Sequence, residues 1–504
     1  MMDMTDAALS ALVDAAIANG LCEKADRTYM INGLLAVLHR GSFTEPEQPL
    51  TGKSVPALLD MLCDDAAARG LLQADTTVCR DLFSAALMGV LMPRPSQVIR
   101  QFRADYAVSP QQATDRFYRL CCDCDYVMTE RIRRDLHWQS DSPYGVLDIS
   151  VNLSKPEKDP RMIAAARLQP QTGYPLCALC HENEGFAGDL THAPRQTLRQ
   201  IPLSLAGECW YLQYSPYAYY REHCIVLSEH HTPMRIDRAT FARHLDFVRQ
   251  FPHYFIGSNA DLPIVGGSIL SHDHMQGGCA VFPMQKAPIE IPVRFSHFPT
   301  VDAGIVRWPM SVLRLSSPDA QALVALADRI LSVWREYSDP EATVFAQTAD
   351  GRHNTLTPVT RTSADGKFFE MDLVLRNNIT TPAHPMGLYH PHKEKHFIKK
   401  ENIGLIEVMG LAILPARLKK ELALLREALL RGEPIGADSP IAAFARMAQT
   451  LTIAGIDEHN VDGRIRAAVG EVFTGVLEDA GVYKCNEAGR AAFLRFVEAV
   501  NRAD

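Results

Sequence analysis

The chain has 504 residues, 47% of them hydrophobic and 22% charged, too long for one simple core, so two or three domains or subdomains are expected. Its 51 basic and 59 acidic residues leave a net charge of −8, which argues against a general nucleic-acid or anionic-membrane surface and allows only a local basic pocket for a phosphorylated small molecule. No apolar run approaches the ~18 residues that span a bilayer, the acidic start MMDMTDAALSALVDAA lacks the basic region of a signal peptide, and 12 irregularly placed cysteines point to reduced thiols in the cytoplasm.

Residues 1–135 read as a helical N-terminal region. Asp3–Gly20 and Asp26–Gly41 carry apolar residues at helical spacing and end in glycine. Ser54–Gly70 has Pro56 in its first turn, Asp75–Met92 is stopped by Pro93, and Ser109-Pro110 opens a helix running to Arg134. Gly52-Lys53-Ser54 looks like the end of a phosphate loop, but the earlier glycine such a loop needs is Glu47, so that reading is rejected. Cys121, Cys122 and Cys124 fall within the last of these helices and diverge, as buried thiols do more often than metal ligands.

Residues 136–285 form a first sheet-rich block. Trp138–Lys155 changes to strand-like alternation. Cys177-x-x-Cys180 follows in YPLCALCHENEG; no strand–helix context of a redox pair surrounds it, and half a metal site would need two more ligands. Ile201–Ser228 alternates and is rich in aromatics, predicting two or three strands that end at Glu229-His230-His231. Asp237 is placed to cap a helix over Arg238–Gln250, stopped at Pro252. The chain then enters Tyr254–Phe282, whose centre is His272-Asp273-His274-Met275-Gln276 between two glycine pairs. If Ser268–Phe282 is a strand, His272, His274 and Gln276 share one face at intervals of roughly 6.6 Å. Two imidazoles and an amide on one face suit chemistry better than packing; the competing reading is a strand edge facing water. The Cys-x-x-Cys pair with one histidine after a strand and one of the His272-x-His274 pair would make a tetrahedral Cys₂His₂ zinc set, although the spacing is not that of a zinc finger.

Residues 286–412 form a second strand–helix–strand block: strands over Pro288–Val301 and Val306–Leu315, an amphipathic helix over Asp319–Ser338, and strands over Thr343–Thr360 and Lys367–Ile379. It mirrors the first block, which hints at duplication. Leu388–Asn402 is dense in histidine and lysine and reads either as a solvated face or as a phosphate-binding rim. Residues 413–504 return to helices: Leu414–Gly432, Ser439–Gly455, Asp462–Gly481 and Asn486–Ala503.

The segments YGVLDISVNLSKPEKDP, YPLCALCHENEG, LQYSPYAYYREHCIVL, SHDHMQGG and HFIKKENIGLIEVMGLA, in that order, resemble the second, longer bacterial class of UDP-glucose–hexose-1-phosphate uridylyltransferases (galactose-1-phosphate uridylyltransferases), within the histidine-triad group. The resemblance runs from about Phe117 to Leu418. It implies an α+β fold with a histidine-triad-like antiparallel sheet core, duplicated and flanked by helical N-terminal and C-terminal regions. It also implies a ping-pong exchange of UMP between UDP-glucose and galactose 1-phosphate, in a cytoplasmic homodimer of galactose metabolism. His274 matches the nucleophile and Gln276 the residue that hydrogen-bonds the transferred phosphoryl group. Cys177, Cys180, His231 and His272 match the structural zinc ligands of the shorter class, with His230 an alternative to His231. The chain departs from that class in three places. Asp273 stands where a proline separates the histidines. The serine three residues before the motif has shifted to Ser268 or Ser271. The place of a second, iron-binding motif is taken by Pro385-Met386-Gly387, so no iron is expected.

Neutral imidazole is suited to attack phosphorus and leave again, with an unperturbed pKa of about 6.5. A sugar-phosphate leaving group needs no strong general acid, in keeping with the lack of a carboxylate pair or magnesium motif; neither magnesium nor a nucleotide cofactor is predicted. Gln276 and the N–H groups of Gly277 and Gly278 are candidates to stabilise the phosphoryl oxygens. Asn259 is a candidate for ribose or phosphate contact, against a turn role. His353 and Asn354 are candidates for the hexose phosphate, against a capped turn. The partners expected are small molecules, with neither nucleic acid nor membrane. The rival reading is another histidine-triad nucleotidyl transferase or hydrolase, such as a dinucleoside polyphosphate phosphorylase.

Overall fold

The computed structural model describes residues 4–154, 173–267 and 269–503. The chain divides into two compact units, Met1–Arg133 with Ser154–Thr232, and Arg134–Leu153 with Pro233–Asp504. Both combine helices with antiparallel sheet, and the fold class is α+β with helical N-terminal and C-terminal flanks.

The first unit opens with helices Met4–Ala18, Arg27–Val37, Val55–Ala68 and Thr77–Leu91. Their starts follow capping chemistry: Ser54 accepts from the Ala57 N–H and Thr76 from the Cys79 N–H. A helix over Pro95–Val108 was not foreseen, because Pro93 was read as the end of helical chain. Pro95 sits in the first turn instead, where its missing N–H leaves no bond unmade. The next helix starts at Pro110 as expected, with Ser109 accepting from the Gln112 N–H, but it stops at Asp123 rather than Arg134. Asp125 adopts a left-handed backbone (φ 55) just beyond, which helical chain cannot continue through. Strands Ile201–Leu205, Glu208–Tyr214 and Cys224–Ser228 form an antiparallel sheet. The first two are joined by Ala206-Gly207, both at positive φ, the two-residue turn whose twist matches a hairpin.

In the second unit the hairpin Leu136–Ser142/Gly145–Val151 takes Leu411–Leu414 as a parallel third strand. Its larger sheet runs, in spatial order, His274–Gly278, Phe255–Gly257, Asn354–Thr362, Phe369–Asn377, Val312–Ser317, Asp302–Val306 and Ile289–Val293, every neighbour antiparallel. Several expectations differ here. The strand read over Thr343–Thr360 is Asn354–Thr362, preceded by the short pair Gln347–Thr348 and Gly351–Arg352. The strand read over Val306–Leu315 is two strands with a link between them. The strand read over Ser268–Phe282 is only His274–Gly278.

One face of this sheet is a hydrophobic core. Leu356, Met371, Leu373, Leu375, Leu313 and Leu315 pack against Phe241 and Leu245 of the helix Arg238–Gln250 and Ile330 and Trp334 of the helix Ala320–Glu336. Side chains alternate along a strand, and directly opposed residues of antiparallel strands share a face. Asp372, between Met371 and Leu373, therefore faces away from the helices. So do Val359, Gly257 and Gln276, which follow it in the register Asp372↔Val359↔Gly257↔Gln276. His274, two residues from Gln276, shares that face, opposite the helices Arg238–Gln250 and Ala320–Glu336.

Candidate active site

His274 begins its strand and is buried. Its Nδ1 lies 2.8 Å from the His272 carbonyl oxygen. A carbonyl can only accept, so Nδ1 carries the proton and Nε2 keeps its lone pair. Burial pushes the imidazole down to about 4, against the pull of that hydrogen bond. At neutral pH the ring is an uncharged base with one nitrogen committed to orientation and the other available.

His272 lies outside the strand, in the bend before it, and is fully buried. The expectation that His272, His274 and Gln276 share a strand face thus holds only for the last two. His272 enters through its main-chain carbonyl, a role that spacing could not disclose. Gln276 is partly exposed. Beside it lies Gly257, and a Cβ there would come within 2.8 Å of Leu405 Cδ1 and 3.1 Å of the Pro358 carbonyl oxygen. Gly277 and Gly278 are buried within the strand, while Ser271 is exposed in the bend. Ser268 lies outside the described residues.

Asn259 is buried on the chain that continues from Phe255–Gly257, and its Oδ1 accepts from the Leu405 N–H at 2.9 Å. A side chain at Gly267 would crowd its amide, with a Cβ 2.8 Å from Nδ2. The segment Ile403–Leu405 is held a second time by Arg376, whose Nη2 donates to the Ile403 carbonyl at 2.8 Å.

His353 and Asn354 are committed to structure. The two ring nitrogens of His353 sit 2.7 Å from Thr348 Oγ1 and 2.8 Å from Asn378 Oδ1. Asn354 Nδ2 donates to the carbonyls of Trp334 (2.7 Å) and Tyr337 (2.9 Å), and its Oδ1 accepts from Asn377 Nδ2 (2.7 Å). Of the two readings open for this pair, the geometry supports the structural one.

In the first unit, Cys177, Cys180 and His231 offer atoms that lie within 4.8 Å of one another. Cys180 Sγ is 3.6 Å from Cys177 Sγ and 3.1 Å from His231 Nδ1. A disulfide would need a sulfur separation of about 2.05 Å, whereas two thiolates at ~2.3 Å from one tetrahedral zinc stand roughly 3.8 Å apart. The donor set and spacing fit zinc. Asn183 pins the loop by donating to the carbonyls of both cysteines at 2.8 Å. His230 is exposed beside Glu229 (3.9 Å), whereas His231 Nδ1 lies 3.1 Å from Cys180 Sγ.

Sequence reading missed three contributors. Arg243, on the helix Arg238–Gln250, forms an ion pair with Asp273 at 3.7 Å. Arg376 is buried on the same sheet face as Asp372. Lys399, from the basic block, turns inward to Glu407 at 2.8 Å, while Lys393 and Lys400 stay exposed. A polar residue on a solvent-compatible helix or in a basic run carries no sequence signal of such a contact.

Comparison with known proteins bears on this arrangement. Residues 42–233 match the family described as "Galactose-1-phosphate uridyl transferase, N-terminal domain", and residues 247–442 match its C-terminal domain. The chain is 47% identical over 503 residues to a galactose-1-phosphate uridylyltransferase of Fusobacterium nucleatum, covering 98% of each chain. It is 48% identical over 504 residues to that of Halalkalibacterium halodurans (98% of each), and 48% identical over 483 residues to that of Bacillus subtilis (94% of this chain, 93% of the other). Among solved structures, yeast Ap4A phosphorylase Apa2 matches with a TM-score of 0.30 at 11% identity, over 60% of this chain and 88% of that one.

Proposed function

The chain belongs to the galactose-1-phosphate uridylyltransferase family, and from that premise we propose that it moves UMP from UDP-glucose to galactose 1-phosphate through a uridylyl group carried on His274. The observation that carries the reading is the His274 ring, buried, held through Nδ1 by the His272 carbonyl and left with a free Nε2.

In the first half-reaction, Nε2 attacks the α-phosphorus of UDP-glucose. A P–N bond forms, the bond from phosphorus to the bridging oxygen breaks, and glucose 1-phosphate leaves with that electron pair. In the second, a phosphate oxygen of galactose 1-phosphate attacks the same phosphorus and the imidazole departs. A neutral, buried imidazole is both nucleophile and leaving group. Gln276 donates an amide N–H to a non-bridging phosphoryl oxygen, with Gly277 and Gly278 beside it leaving room for the phosphate. Asn259 and Ser271 are assigned to the substrate phosphate or ribose. The structural bonds of His353 and Asn354 leave them out of this set.

Cys177, Cys180 and His231 would hold zinc, with His272 as the fourth ligand that the resemblance supplies. A closed four-ligand zinc would fix the chain around His274 and has no open position for substrate. The reading carries a homodimer and a cytoplasmic location with it. Among the described residues no helix is long and apolar enough to cross a membrane.

The test is incubation with UDP-glucose alone, followed by mass spectrometry. A covalent UMP on His274, absent from His274→Gly and formed without added magnesium, is the expected result. Failure to trap UMP, or turnover of diadenosine polyphosphates but not UDP-sugars, overturns the reading. Metal analysis checks the zinc set: one zinc per chain in the unmodified protein, lost in Cys180→Ser.

A further inference from the structure

Between the candidate metal ligand His272 and the nucleophile His274 stands Asp273, a charged residue at a point where the main chain itself orients the catalytic ring. The His272 carbonyl accepts from His274 Nδ1 at 2.8 Å, so the plane of the His272–Asp273 peptide sets the direction of His274 Nε2. A small rotation of that peptide would break the hydrogen bond or swing Nε2 off line. Nothing in regular secondary structure fixes it, because the strand begins only at His274.

The Asp273 side chain reaches Arg243 Nη1, 3.7 Å away. Arg243 belongs to the helix Arg238–Gln250, which starts from a capping box in which Asp237 accepts from the Thr240 N–H. That helix is anchored next to Arg243 by His244, fully buried, whose ring nitrogens lie 2.9 Å from Ser258 Oγ and 3.2 Å from Thr360 Oγ1. Ser258 in turn directly precedes Asn259. The ion pair is largely shielded, with side-chain exposures of 13% and 16%, so it is less screened than a surface pair. A rigid, doubly anchored helix thus holds by charge the one residue between the two histidines.

We propose that Arg243 and Asp273 form a positioning pair for uridylyl transfer: they hold the His272–Asp273 peptide so that its carbonyl aims His274 Nε2 at the phosphorus. This rests on the proposed role of His274 and adds to it the residues that orient the nucleophile. The pair acts through the main chain, so its loss lowers the rate of the chemical step and leaves substrate affinity nearly as it was. Misplacement of a nucleophile by a fraction of an ångström to an ångström costs one to two orders of magnitude in rate.

The experiment is a double-mutant cycle on the intact chain with Asp273→Asn, Arg243→Gln and the double variant. Each is assayed for the single-turnover release of glucose 1-phosphate from UDP-glucose and for the dissociation constant of UDP-glucose, with zinc content and thermal melting as folding controls. Each single variant should slow the burst about tenfold or more, with the dissociation constant within about twofold of the unmodified protein. The double variant should be no slower than the worse single, because a broken pair cannot be broken twice. A burst within twofold of normal in either single variant overturns the proposal. So do multiplicative losses in the double variant, or a loss confined to substrate affinity. An unmodified protein that gives no burst overturns the His274 reading and this one with it, whereas a normal burst with indifferent variants overturns only the pair.

Discussion

Replacing Asn354 by alanine separates a structural from a substrate-binding role with one substitution. The side chain is buried, and its Nδ2 serves the carbonyls of Trp334 and Tyr337 at the end of the helix Ala320–Glu336. Its Oδ1 accepts a hydrogen bond from Asn377 Nδ2, which also donates to the Phe345 carbonyl at 3.1 Å. Alanine removes three hydrogen bonds, each worth about 1 kcal/mol net. The Trp334 carbonyl keeps the Tyr337 N–H at 3.1 Å, but the Tyr337 carbonyl loses the donor that Asn354 gives it, so the total reaches about 3–4 kcal/mol. At about 2 °C per kcal/mol for a unit of this size, the melting point should fall by roughly 6–8 °C. Urea unfolding followed by circular dichroism measures the loss, with transitions of the two units fitted separately because a two-unit chain need not unfold in one step. Steady-state assays well below the melting point should give a KM for galactose 1-phosphate within about twofold of normal. A stability change under about 0.5 kcal/mol together with a tenfold rise in that KM would refute the structural assignment and return Asn354 to the substrate.

Two further outcomes follow from buried charge. Asp372 is fully buried between Arg314, whose Nε and Nη2 lie 2.7 and 3.0 Å from its oxygens, and Arg361, whose Nη1 lies 2.8 Å away. Asp372→Asn should cost about 3–5 kcal/mol at pH 7 by removing the buried carboxylate that two guanidinium groups share. Burial works to raise the Asp372 carboxyl, but Arg361 and Arg314 hold it below the usual range. Its contribution is therefore present above about pH 4 and lost as pH falls through the folded value; a urea gap under 1 kcal/mol at neutral pH would sink this account. Asp125 is the opposite case, pushed up to about 7 by burial against the pull of Arg131. Its folded pKa lies above the unfolded one, so the penalty on the folded state grows as pH rises from the unfolded value near 4 and is complete above about 7. Asp125→Asn keeps a residue tolerant of the left-handed backbone, and should make the protein more stable than the unmodified chain by about 4 kcal/mol at pH 8 and by only about 1.5 kcal/mol at pH 5. An equal gap at both pH values would rule that out.

Much of this protein is legible from local pattern, because local pattern is set by interactions within a few residues. The helix Arg238–Gln250 with its Asp237 cap and the helix Ala320–Glu336 were expected to within two residues, since capping and amphipathic spacing are decided in the segment itself. The pairing of Cys177 with Cys180 also follows from neighbours in sequence, as does the placement of His274 and Gln276 on one face of a short strand. The helix Pro95–Val108 was missed because a proline both stops one helix and starts another, and only the packed chain shows which.

What tertiary structure alone decided concerns groups brought together from far apart. His231 rather than His230 meets Cys180 because the strand before it delivers one ring inward and leaves the other in water. Asn354 became a staple for a helix end 17 to 20 residues earlier rather than a substrate contact. The tether of Asp273 to Arg243 spans 30 residues and has no signature in composition or period. Sequence by itself supplied the groups on which the proposed chemistry rests, a histidine with an amide two residues on. The tertiary fold decided how that histidine is aimed, because a carbonyl direction and a buried ion pair depend on distances that no spacing along the chain encodes.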